Sequence, residues 1–141
     1  MIAAGFATAA LGASAPLSVN QYRTQASAIC TNEEKQLNAY QAHGSSAAKK
    51  LVDEVEFESR TKLASYRAFA RLRPPSQFAQ LNTRMLADLR VLLQAWPATI
   101  AAAKRGPAAY GRGSFETSKE RKAGNDLAAV WKKLAIPFCN H

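Results

Sequence analysis

Cysteine and histidine are scarce, with two of each in 141 residues. That excludes a disulfide-rich scaffold, and a four-ligand zinc site would need carboxylates as well. Val and Ile together number nine, against thirteen Leu and 29 Ala, so the residues that favour sheets are short and helix is favoured. Seven glycines and six prolines exclude a collagen-like chain. No apolar run reaches the ~20 residues that span a bilayer, so a polytopic membrane protein is excluded too. Acids are few, ten against nineteen Lys and Arg, leaving a net charge of +9. There is no P-loop, G-x-G-x-x-G, H-E-x-x-H, G-x-S-x-G or C-x-x-C.

What remains reads as one helical globular domain. Hydrophobic residues are 48% of the chain and the mean hydropathy is −0.23. Setting Ala aside leaves 38 larger apolar side chains, enough for one modest core.

Residues 2–12, IAAGFATAALG, resemble the apolar region of a secretory signal, and Ala13-Ser14-Ala15 fits its small-residue cleavage site. Pro16 disfavours that cut, so cleavage after Gly12, with Ala10 at the −3 position, is the alternative. No Lys or Arg follows Met1, so the signal reads as truncated at its start. Residues 1–15 are expected to be a signal peptide and residues 18–141 the helical domain. A retained Ala-rich arm is the rival reading. Export in turn favours a disulfide between Cys30 and Cys139, the only cysteines. The rival is two free buried thiols in a cytosolic protein.

Apolar spacing of three, four and seven predicts four helices. The first begins near Ser18 or Asn20, carries Tyr22, Ala26, Ile29, Cys30, Leu37 and Tyr40, and ends near Ala42, with Gly44 as the expected cap. The second runs from Ala47 to Leu72, with Val52, Val55, Leu63, Tyr66 and Ala70 on one face and Leu51 and Phe69 at its edge. Glu58–Lys62 and Glu56–Arg60 are spaced for ion pairs along it. Pro74-Pro75 stops it. The third carries Phe78, Leu81, Met85, Leu89, Leu92 and Trp96, widened by Leu86 and Leu93; Pro97 kinks or restarts it. Residues 106–114, GPAAYGRGS, read as a loop exposing Tyr110, or as a frayed start of the last helix. Ser114 is expected to cap that helix, whose apolar side is Phe115, Ala123, Leu127, Val130, Trp131 and Leu134. The fold class is all-α, an antiparallel four-helix bundle with one disulfide.

The charge is uneven. Residues 59–112 hold ten Lys and Arg and one acid, Asp88, while the rest is neutral. Arg60, Arg67 and Arg71 lie within about 40° of one another on a helix, opposite its apolar stripe. With Arg84 and Arg90 they are the candidate contact for an anionic envelope component or acidic protein. A merely solvated face in an Arg-rich chain is the plainer explanation. Nucleic acid is disfavoured as partner, because the basic segment interleaves with Leu and Ala at core spacing rather than with stacking aromatics.

Catalysis is not expected, nor is a cofactor or metal. His43 falls in a predicted loop and His141 is the last residue. Glu54 and Glu58 share a face, but solvation explains the acidic cluster better than metal binding. Trp96, Trp131, Phe78 and Phe115 read as core rather than ligand cage.

Four segments, YRTQASAIC at 22–30, ARLRPPSQF at 70–78, MLADLRVLL at 85–93 and LAIPFC at 134–139, resemble small exported or lipoprotein-like helical proteins of actinobacteria. The likeness implies the Cys30–Cys139 bridge. It transfers no catalytic residue, and this chain departs from it in being strongly basic and in lacking a lipidated cysteine.

The favoured function is a non-enzymatic exported binding protein using its basic surface, with no transmembrane span in the mature chain. A cytoplasmic nucleic-acid-binding protein is the alternative. A small-ligand carrier is the second alternative, and it would require a large apolar cavity near Tyr22, Tyr66 and Trp96.

Overall fold

Ser18 starts the first helix by a reciprocal cap. Its hydroxyl accepts the Gln21 N–H, and the Gln21 side chain accepts the Ser18 N–H at 2.9 Å. This local chemistry opens a computed structural model that describes residues 15–40, 46–112, 117–136 and 139. Every regular element among them is helical. The elements are α1 (Val19–Ala39), α2 (Ala47–Arg71), a 3₁₀ turn (Ser76–Phe78), α3 (Ala79–Leu93), α4 (Trp96–Lys104), α5 (Pro107–Arg112) and α6 (Ser118–Leu134). None of these helices is long and apolar enough to cross a membrane.

Among the described residues six α-helices stand where four are expected, because the expected third helix is divided and a short helix forms in the segment expected as loop. The chain turns at Gln94-Ala95 and restarts at Trp96, where Pro97 sits in the first turn and needs no hydrogen-bond donor. It breaks again at Gly106, whose φ of +110° is left-handed backbone suited to glycine. Pro107 then opens α5, so a short helix occupies most of the segment expected as loop. The last helix is capped by Thr117, with Glu120 completing the reciprocal bond. Ser114, Phe115 and Glu116 lie outside the described residues, as do His43, Gly44 and His141. So does the proposed signal up to residue 14.

The most extensive helix packing is α3 on α6; α2 packs on α1, α3, α4 and α5, and α4 on α5. The core lies where α1, α3 and α6 meet: Tyr22, Met85, Val130, Leu134 and Ile136 are almost wholly buried. Tyr22 donates its hydroxyl proton to Asn82 Oδ1 at 2.7 Å, which satisfies both buried polar groups. Burial pushes the Tyr22 hydroxyl up to about 12. Arg23 Nε donates to the Leu134 carbonyl at 2.8 Å and its guanidinium lies over Phe78. One side chain thereby closes the carboxyl end of α6 and ties it to α1. Tyr40 stacks on Phe57, joining the far end of α1 to α2.

Cys30 and Cys139 form a disulfide with Cα atoms 5.4 Å apart. It closes a loop of 109 residues and draws the tail under α1, where Cys139 is buried.

The apolar side of α2 differs from the expected stripe. Val55 and Phe69 are buried, whereas Leu63 and Ala70 are exposed. At 100° per residue Phe69 is diametrically opposite Arg60, while Leu63 and Ala70 sit only about 60° to 80° from it. Neighbouring helices α1, α3, α4 and α5 pack on α2 and bury Phe69, which leaves Leu63 beside the arginines.

Candidate functional site

The break at Trp96 creates the site. α3 lies along α6, but after the turn α4 packs against α2 instead, and α4–α6 is not among the close helix pairs. The divergence leaves a cleft of about 450 Å³ beside the disulfide. Its apolar wall is built by Leu89, Leu92 and Leu93 at the end of α3 and by Leu127 and Trp131 from α6. Phe69, in tilted contact with Trp131 at 5.3 Å between ring centroids, comes from α2. Trp96 leads in from α4, and Cys30 and Cys139 supply the disulfide edge. The volume falls within the range of small-molecule sites, roughly 300–1,000 Å³.

The rim is polar. Glu33 of α1 pairs with Lys62 of α2, and Glu58, Ser65, Tyr66, Thr99 and Tyr110 complete the lining. Arg90 Nε and Nη2 both donate to the Tyr66 hydroxyl, at 3.2 and 2.8 Å, and the guanidinium approaches the Tyr66 ring. Tyr66 is thus held from outside the cleft by a residue that does not line it. The Thr99 hydroxyl donates to the Ala95 carbonyl and satisfies the kink.

Two ion pairs expected along α2 are replaced by longer-range ones. Lys62 takes Glu33 rather than Glu58, and Glu56 takes Lys104 of α4 at 3.3 Å. Both acids turn to lysines on adjoining helices, which sequence spacing does not reveal. Glu58 thereby lines the cleft with no ion-pair partner among the described residues. No group of three metal-ligating side chains forms among those residues either.

The five basic candidates separate. Arg60, Arg67 and Arg71 are all exposed along one edge of α2, with Leu63 36% exposed beside them. Arg90 is exposed but folded onto Tyr66. Arg84 lies one turn before Asp88 and, at 100° per residue, about 120° around α3 from Arg90. Burial pushes the Asp88 carboxyl above its ordinary value and Asp126 adds to the rise, while Arg84 and Lys122 oppose it. The basic patch therefore narrows to the three arginines of α2.

Tyr110 is half-buried in the cleft rather than exposed in a loop; Trp131 belongs to the buried core as expected and also borders the hollow, whereas Trp96 is only partly buried where it lines it. Tyr66 and Trp96 line the hollow, whereas Tyr22 is sequestered with Asn82. A wider but more open hollow of about 660 Å³ runs along α1 past Arg23, Thr24, Asn32 and Lys35, and no aromatic residue lines it. Comparison with protein families, curated proteins and solved structures gives no match. The chemistry of the site accordingly rests on its own residues.

Proposed function

We propose that this chain is an exported, non-enzymatic binding protein that holds a small amphiphilic molecule in the cleft beside its disulfide. The observation that carries the reading is a 450 Å³ hollow with an apolar wall and a polar rim. Such a lining buries an apolar body while fixing one polar end. The antiparallel four-helix plan belongs to the same reading, with α3 and α4 as one interrupted limb. The disulfide is compatible with an oxidising compartment and supports export.

The test is titration with N-phenyl-1-naphthylamine, a neutral apolar fluorophore. One saturable site per chain is expected, lost in Leu93→Trp, which fills the cleft. Binding that survives this change in a folded variant would place the site elsewhere. Export is tested by intact mass from the native source with thiol labelling. Loss of about the first 12 to 15 residues and labelling only after reduction are expected; a full-length chain with two free thiols would overturn export.

A second reading rests on the exposed line of Arg60, Arg67 and Arg71, none of which has an ion-pair partner among the described residues. That edge suits an anionic envelope surface. Reversing all three charges should abolish binding to anionic vesicles and leave the cleft's fluorophore binding intact.

A further inference from the structure

Resting on the cleft as the binding site, we infer that its ligand is an amphipathic monocation, an apolar or aromatic body bearing one ammonium group, with Glu58 as its counter-ion. The charge of the lining leads there. Three charged side chains border the cleft: Glu33, Glu58 and Lys62. Glu33 and Lys62 neutralise each other across the α1–α2 seam, and Glu33 is held with its side chain only 18% exposed. The nearby guanidinium of Arg90 is committed to Tyr66. One carboxylate remains unmatched, in a chain whose net charge is +9.

The aromatic composition points the same way. Trp96, Trp131, Tyr66 and Tyr110 all line the cleft. Ring faces carry negative electrostatic potential and attract ammonium groups, Trp most strongly. A carboxylate ligand would meet this aromatic lining together with Glu58, whose charge would repel it. A neutral ligand would gain the apolar wall but leave Glu58 partly desolvated with nothing to offset it. A monocation satisfies the wall, the rings and the carboxylate at once.

The two tryptophans of the chain both line the cleft, so Trp emission reports on this site alone. The experiment titrates the disulfide-intact chain with three probes sharing one body: 4-phenylbutyltrimethylammonium, 4-phenylbutanol and 4-phenylbutyrate. The cation should bind tightest and the anion weakest. Glu58→Gln should weaken the cation about three- to tenfold, the scale of one partly screened ion pair, and leave the alcohol unchanged. Glu58→Lys should reverse the preference towards the butyrate. Circular dichroism of both variants verifies the fold. If cation, alcohol and anion bind alike and Glu58→Gln changes nothing, the cationic ligand is overturned while the cleft stands as a binding site. If none of the three perturbs Trp emission, and N-phenyl-1-naphthylamine also fails to bind, the cleft itself is overturned as the site.

Discussion

α3 has two ends with opposite fates. Its first half, around Asn82 and Met85, is packed against α6 and α1 with almost no exposure. Its last turn, Leu89, Leu92 and Leu93, is equally apolar yet borders an open cleft. Both ends carry large apolar side chains at helical spacing, so the apolar pattern does not separate them. The difference is the neighbour: α6 continues alongside, but the limb breaks at Gln94-Ala95 and α4 goes to α2. A helix terminus thus converts a core stripe into the wall of an open cleft.

The largest blow to this arrangement is loss of the disulfide, which joins the filled region to the cleft. Replacing Cys30 and Cys139 with Ser should cost about 2–5 kcal/mol, since the bond closes a long loop. Chemical denaturation of the oxidised protein and the double variant measures it. Met85→Ala should come next, at about 2–5 kcal/mol, because a fully buried side chain leaves a cavity. Leu93→Ala, at the half-buried cleft wall, should cost about 1 kcal/mol or less because the site already borders open volume. Equal costs in thermal or urea unfolding would erase the distinction between the two ends.

Tyr22→Phe sharpens the comparison from the filled side. It leaves Asn82 buried without its donor, a loss of about 1–3 kcal/mol. It also changes the alkaline limb. Below pH 10 the folded and unfolded chains both keep the Tyr22 proton. Between the ordinary value of 10.0 and about 12 the unfolded chain releases it and the folded chain does not. Wild-type stability should therefore fall over that window, and the variant should lack this share of the fall. Asp88→Asn should have the smallest effect and the opposite sign. The folded Asp88 holds its proton more strongly than usual, so the folded state loses stability as pH rises through that titration. The variant should unfold at a slightly higher Tm at neutral pH, and the gain should vanish in acid.

Much of the scaffold is legible in local chemistry. Ser18, the Pro74-Pro75 stop, the α3 stripe and the α6 stripe from Ala123 to Leu134 all follow from caps and periodicity. The disulfide follows from a lone pair of cysteines in a chain with an export-like start. The cleft was not legible, because its existence depends on where α4 goes after Pro97, and a proline states only that the helix is interrupted. Glu58 illustrates the same limit. Spacing pairs it with Lys62, yet Glu33 from another helix takes that lysine. Tyr110 sits among glycines that suggest a loop, but Pro107 nucleates a turn of helix that carries the ring into the cleft. The arginines show the converse. One edge of α2 is readable from the angle between residues, whereas the separation of Arg84 from Arg90 depends on what α3 meets on each side.

The most direct test of the cleft is a crystal structure of the disulfide-intact chain grown with 4-phenylbutyltrimethylammonium. Density for the probe is expected between Trp96 and Trp131, its phenyl ring on the leucine wall and its ammonium at Glu58. Leu92, Leu93 and Trp96 collapsed together into a filled core, with no probe between them, would contradict it.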